Sequence, residues 1–326
     1  MSETTLSTRR PGLKRLGRSY PFLFSFVGAA VIFAVTLVVN SFNGAGPILT
    51  AALTFGAFTV VVGLGQMFVI TTGPGNIDLS VPSTIAFAGA VAMKLMQGQD
   101  GLILLGLAAA LGVGLVIGAF NYLLIRALKI PPIIATLSSS FIIQSLAIAY
   151  GRGLMIKPPP LLAEIATGRV FGLPIVALVA LALSLVMSVV LHRTIYGRSV
   201  AAIGQNIRAA GLAGVKVDRV RFATYVLSAM LAALCGTLLA GFSGGASLNM
   251  GEEYLLASIA VVVVGGSAVA GGSSNVSGIW GAALFLTLLV TMLNTFGVGA
   301  GVRQLLTGLI IIAVITLAGG RKGARH

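Results

Sequence analysis

The chain is short of charge. Of its 326 residues only 9% are Asp, Glu, Lys or Arg, while 57% are hydrophobic. A soluble domain carries about 25% charged residues, so this chain could not solvate a globular surface of its own size, and lipid must cover much of it. Cysteine is almost absent. Cys235 stands alone inside an apolar run, which excludes an intramolecular disulfide and points to packing rather than redox chemistry. The two histidines, His192 and His326, belong to no cluster with metal-ligand spacing, and they support no Ser/His/Asp set. No G-x-x-x-x-G-K-[ST] occurs, so no P-loop is encoded. These absences point away from an enzyme and away from a cofactor bound by the chain itself.

Acids are scarcer than bases, seven against 21, and the formal net charge is +14. In a soluble protein that balance would raise nucleic acid as a partner. Here the bases sit in short segments between apolar runs, which is the pattern of the positive-inside rule. No nucleic-acid partner is expected.

What remains is apolar sequence. A membrane span needs roughly 20 apolar residues, and ten such runs occur: 22–40, 48–71, 79–97, 102–125, 132–150, 173–191, 220–240, 254–270, 276–296 and 303–319. The expected fold is an all-α membrane protein of about ten transmembrane helices, some broken by Gly and Pro. The third and eighth runs are closely flanked by Gly and Pro and are the ones expected to be broken or re-entrant. The polar, basic start from Met1 to Tyr20 shows no cleavable signal. The chain divides into a basic N-terminal segment 1–21, one transmembrane domain 22–320 with a polar loop at about 193–219, and a C-terminal tail 321–326.

Orientation follows from the bases. Placing both termini in the cytoplasm puts Arg9, Arg10, Lys14, Arg15, Arg18, Arg126, Lys129, Arg193, Arg198, Arg208, Lys216, Arg219, Arg221, Arg321, Lys322 and Arg325 inside, 16 of the 21. It leaves Lys94, Arg152, Lys157, Arg169 and Arg303 outside. The outward loop 151–172 holds the stiff run Lys157-Pro158-Pro159-Pro160. A Gly-rich junction occurs twice, at 69–82 and 264–278, and hints at an internal duplication.

Candidate functional residues fall into two groups. Asp78 lies between two apolar runs, where a charge at the bilayer centre costs about 2.5–3.5 kcal/mol on insertion scales. Two compatible readings are open: Asp78 and Ser80 cap the third helix, with Pro82 in its first turn, or a broken helix aims its N-terminus, with Asn76, Asp78 and Ser80, at a solute cavity. Polar stripes recur at helical spacing in Thr136–Ser140–Gln144, in Thr287–Thr291–Asn294 and in Gly114–Gly118–Asn121. Each is either helix packing or an uncharged lining for a hydroxylated solute. The substrate-pathway set is therefore Asn76, Asp78, Ser80, Asn121, Thr136, Ser140, Gln144 and Asn294. The second group is the inward loop, where Asn206 caps a short helix through Ile207, Arg208, Ala209 and Ala210 that ends near Gly211, Leu212 and Gly214. So short a helix needs a surface to lie on, and the choice is between a solvated connector and a docking helix for a cytoplasmic partner.

Four motifs bear on that choice: Gly75-Asn76-Ile77-Asp78-Leu79-Ser80-Val81-Pro82-Ser83, Lys129-Ile130-Pro131-Pro132-Ile133-Ile134-Ala135-Thr136-Leu137, the stretch Ala202-Ile203-Gly204-Gln205-Asn206 through Ala209-Ala210-Gly211-Leu212-Ala213-Gly214-Val215, and 260–272. In order and over about residues 45–320 they resemble the ribose/xylose/arabinose/galactose permease family of bacterial ATP-binding cassette (ABC) importers. The sequence departs from the family pattern at Pro82, at Ser138-Ser139-Ser140 and at Ser273-Ser274-Asn275. The resemblance implies an importer permease fold in the inner membrane, pairing with a second permease subunit, alike or different. It also implies a periplasmic sugar-binding protein that delivers solute and a cytoplasmic ATPase that binds ATP and Mg, with the third motif as its coupling helix. The solute would be a monosaccharide or related polyhydroxylated compound. Permeases for nucleosides, polyols or branched-chain amino acids are alternatives, and a stand-alone secondary carrier is the reading from another class.

Overall fold

The computed structural model describes residues 23–153, 156–297 and 299–319, so the terminal segments 1–21 and 321–326 lie outside the described residues. The chain is almost entirely helical. In order the helices are α1 (Leu23–Val39), α2 (Ala45–Thr71), α3 (Val81–Met96), α4 (Ile103–Leu128), α5 (Pro132–Gly151), α6 (Pro160–Thr167), α7 (Ile175–Arg193), α8 (Ile195–Gln205), α9 (Ile207–Leu212), α10 (Val217–Phe242), α11 (Glu253–Val264), α12 (Val276–Thr295) and α13 (Ala300–Gly319). A two-stranded hairpin, β1 (Arg169–Val170) with β2 (Leu173–Pro174), precedes α7.

Each of the ten apolar runs lies on a helix. Among the described residues six of these helices are long and apolar enough to cross a membrane, while α1, α3 and α11 are shorter. The two runs flanked by Gly and Pro are indeed cut short. At 1.5 Å per residue α11 is about 18 Å long and α3 about 24 Å, against a hydrocarbon core of about 30 Å. The chain is a multi-pass membrane protein, and its outer helices show it: Leu104, Val116 and Leu123 on α4 and Leu181, Leu185 and Val189 on α7 are exposed.

The core is built around α2 and α10. From Gly56 to Thr71 every residue of α2 is buried, and Phe58, Leu64 and Met67 join α3, α10, α11 and α12 in one large apolar cluster. Close packing of α4 on α10 uses the expected small-residue stripe. A Cβ on Gly118 would stand 2.4 Å from Val226 Cα, and one on Gly114 2.8 Å from Met230 Cα, so this seam admits no side chain there.

Two segments differ from expectation. The 151–172 loop is extended at Pro159, but it then forms α6, because Pro160 fits a first helical turn where its missing N–H costs nothing. The 193–219 loop holds two helices rather than one. Thr194 caps α8 by accepting from Gly197 N at 3.1 Å, and Tyr196, Val200 and Ile203 recur at i, i+4 and i+7 to give it an inward face.

Candidate functional site

The site grows from the break between α2 and α3. Gly73 and Gly75 have φ of +126° and +75°, values that favour glycine, and Pro74 lies between them, so the helix cannot continue. The chain instead runs through Asn76, Ile77 and Asp78 before α3 begins. Helix α3 has no side-chain cap at Ser80. Asp78 stands two residues earlier and accepts from Ser80 N at 3.0 Å and from the Ser80 hydroxyl at 2.6 Å, an Asx-turn that sets up the helix start.

The same carboxylate is tied to distant helices. Ser228 of α10 donates to its second oxygen at 3.0 Å, and Asn121 of α4 approaches the first at 3.5 Å while donating to Ser80 Oγ at 2.8 Å. Asp78 N donates to Gln66 Oε1 of α2 at 3.3 Å. Asp78 is fully buried. Burying a charge costs several kcal/mol, and hydrogen bonds to a charged group return about 1.5–3 kcal/mol each. The four donors recover part of that cost. The cluster is not saturated, since Gln66 Nε2 and Asn121 Oδ1 are buried without a partner.

Asn76 forms a second knot. Its Oδ1 accepts from Arg221 Nη2 at 2.5 Å and from the Tyr225 hydroxyl at 3.3 Å, and its Nδ2 donates to Gly73 O at 3.1 Å. The α5 stripe closes the group from the other side. Thr136 Oγ1 accepts from Leu79 N at 3.0 Å, Ser140 shares a 3.0 Å hydrogen bond with Ser83, and Gln144 Nε2 donates to Leu248 O at 3.3 Å. Six of the eight expected pathway residues, Asn76, Asp78, Ser80, Asn121, Thr136 and Ser140, thus meet around the α3 start, while Gln144 reaches the α10–α11 connection instead. Asn294 does not join them. It lies exposed at the far end of α12, about 27 Å along that helix from its start, and accepts from Arg303. Its stripe partners Thr287 and Thr291 bond carbonyls of their own helix.

The loop residues are equally plain. Asn206 caps α9 by accepting from Arg208 N and Ala209 N, both at 3.0 Å. Ile207, Arg208, Ala209, Gly211 and Leu212 are exposed and Gly214 follows with φ +85°. Ala210 is the exception, buried at 5% exposure, because it faces the bundle. Leu212, by contrast, is 91% exposed.

Sequence reasoning missed Glu252 and Glu253. Both are exposed where α11 starts. Gly236, six residues before the end of α10, faces Ile85, and Gly251 faces Pro82 one turn deeper. The start of α11, with both acids exposed, therefore packs beside the start of α3. An acid pair at the head of an apolar run was the available signal.

Comparison with known proteins adds independent information. The family model described as branched-chain amino acid transport system / permease component matches residues 48–315. The chain is 33% identical to the ribose import permease protein RbsC of Bacillus subtilis, over 80% of this chain and 81% of the relative. It is 30% identical to the autoinducer 2 import system permease protein LsrC of an Enterobacter species, over 93% and 89%, and 31% identical to the probable ABC transporter permease protein y4mJ of Sinorhizobium fredii, over 82% and 81%. No solved structure matches the chain.

Proposed function

This chain belongs to the family of permease components of branched-chain amino acid transport systems, and from that membership we propose that it is the membrane-spanning subunit of an ABC importer for a monosaccharide or related polyhydroxylated solute. It is a transport component and not an enzyme. Family membership implies ATPase and binding-protein partners in general. For this chain the partners are a cytoplasmic ATPase that holds ATP and Mg, a binding protein on the other face, and a second permease subunit. The membrane is the bacterial inner membrane, with both termini and the α8–α9 loop in the cytoplasm, in line with the distribution of Lys and Arg.

The observation that carries this reading is α9. A six-residue helix does not persist on its own, yet this one is capped by Asn206 and turns Ile207 and Leu212 to solvent. An apolar residue held out on a basic loop fits a groove on a partner, and in an ABC importer that partner is the ATPase that drives transport.

The solute class rests on the names of the relatives and on the neutral hydroxyl and amide groups of Thr136, Ser140 and Gln144. These, with Asn76, Ser80 and Asn121, line the route when the α3 start is displaced. Asp78 holds that start in place rather than touching solute. Glu252 and Glu253, exposed beside the α3 start, face the route or the second subunit, because carboxylates in an apolar bundle require water or a partner.

The test is reconstitution of the chain with its ATPase and binding protein in proteoliposomes. Solute uptake that requires ATP and all three components supports the reading. Uptake by the purified chain alone under an ion gradient makes it a secondary carrier instead.

A further inference from the structure

The end of α8 and both glycine-rich junctions meet backbone on backbone. Gly272 N donates to Thr71 O at 2.9 Å. A Cβ on Gly204 would lie 1.9 Å from that same Thr71 O and 2.2 Å from Gly272 N. A Cβ on Gly272 would lie 2.9 Å from Gln205 N, and one on Gly271 2.5 Å from Gly73 Cα. Gly271 and Gly272 also have φ of +87° and +76°. A side chain fits at none of these three glycines, and the one side chain among their nearest contacts is Gln205, whose Cγ would lie 2.7 Å from a Cβ on Gly272. This is a property of the place and not of loop glycines in general, for Gly211 and Gly214 nearby have open space around them.

Each segment leads somewhere. Helix α8 is fixed to the bundle, with Tyr196 stacked on Phe68 of α2 at 6.0 Å and its hydroxyl 3.0 Å from Thr224 Oγ1 of α10. It passes directly through Asn206 into α9. The first junction runs from Thr71 through the Asn76 and Asp78 knots into α3. The second runs from Gly272 to Asn275, which caps α12 by accepting from Gly278 N at 3.2 Å.

We propose that Gly204, Thr71, Gly271 and Gly272 form a three-way joint that carries a displacement of α8–α9 to both breaks at once, so that the starts of α3 and α12 shift with the docking helix. Close-packed backbone has low compressibility and no rotamers to absorb a push. A joint of this kind passes on a small movement that longer side chains would absorb. The proposal rests on the reading that α9 receives the ATPase.

Two measurements on the assembled transporter test it. Gly204→Ala forces a methyl against Thr71 O and Gly272 N, and uptake per ATP hydrolysed is expected to fall by about tenfold or more while the ATPase stays bound. Gly101→Ala, just before α4 and with open space around it, is expected to match the wild type. The second measurement needs no disruptive variant. Spin labels at Ile195→Cys, on α8 and outside the docking helix, and at Val269→Cys occupy exposed positions, and native Cys235 is buried. The distance between the labels is expected to stay the same in the nucleotide-free and ATP-bound states. Normal coupling in Gly204→Ala, or a label distance that shifts between states, overturns the joint. If Gly204→Ala fails to assemble, the label pair decides. If the wild-type chain itself shows no ATP-dependent uptake, the permease reading falls and the joint with it; a wild type that couples while its labels separate removes the joint alone.

Discussion

The hydroxyl of Ser228 donates to the Asp78 carboxylate at 3.0 Å across 150 residues of sequence, and so pins the middle of α10 to the break between α2 and α3. Both residues are buried, so this bond has no solvent substitute. Ser228→Ala is expected to destabilise the folded chain by about 1.5–3 kcal/mol, the usual value of one hydrogen bond to a charged group. Asp78→Asn is expected to cost more, because its amide nitrogen adds a donor where Ser80 N, Ser80 Oγ and Ser228 Oγ already donate. Thermal unfolding in detergent checks both. Equal stability in Asp78→Asn and wild type would mean that the carboxylate is not the knot described.

Leu212 and Arg208 separate shape from charge at α9. Leu212→Asp leaves the bundle intact, since the side chain is exposed, but is expected to weaken ATPase association by about tenfold or more, an effect of the size found for an apolar anchor. Arg208→Ala is expected to cost about 0–1 kcal/mol, as exposed ion pairs do. Binding assays with the solubilised complex give both numbers. Ala210 is unsuited to this test because it is buried, and a bulky residue there would unseat α9 itself.

The carboxylates of Glu252 and Glu253 are expected to matter for transport and not for folding. Glu252→Gln and Glu253→Gln should leave the unfolding temperature unchanged, because both side chains are exposed in the single chain, while solute uptake falls. A loss of stability with unchanged uptake would place them in a structural contact with the second subunit.

Topology has a direct readout. With Cys235 buried and unreactive, a cysteine placed at Lys157 is expected to react with an impermeant reagent added outside, and one at Arg208 to be spared. The opposite pattern reverses the orientation.

Much of the fold was legible because membrane helices announce themselves by length and apolarity. The breaks at the third and eighth runs were legible through Gly and Pro for the same local reason. The α9 cap was legible too, as an Asn side chain reaches the first free amides of a helix without any tertiary help. Helix α8 carried a readable stripe in Tyr196, Val200 and Ile203, but its polar surroundings masked it. The Asp78 knot was only half legible. Its Asx-turn to Ser80 is local, whereas its partners Ser228 and Asn121 lie 150 and 43 residues away and carry no spacing signal. Asn294 stands apart from the α3 start, because a polar stripe on one helix says nothing about which neighbour it meets. Glu252 and Glu253 look like ordinary first-turn acids, and only the packing of Gly251 on Pro82 brings them beside the α3 start.

The central claim is that this chain moves a neutral hydroxylated solute only when an ATPase drives it. Radiolabelled ribose and a panel of related solutes, offered to proteoliposomes holding the chain with its ATPase and binding protein, measure this most directly. Accumulation of at least one such solute that stops without ATP, and stops again when Leu212→Asp replaces the wild type, is the predicted result. Accumulation by the chain alone under a proton or sodium gradient, unaffected by ATP or by Leu212→Asp, would contradict it.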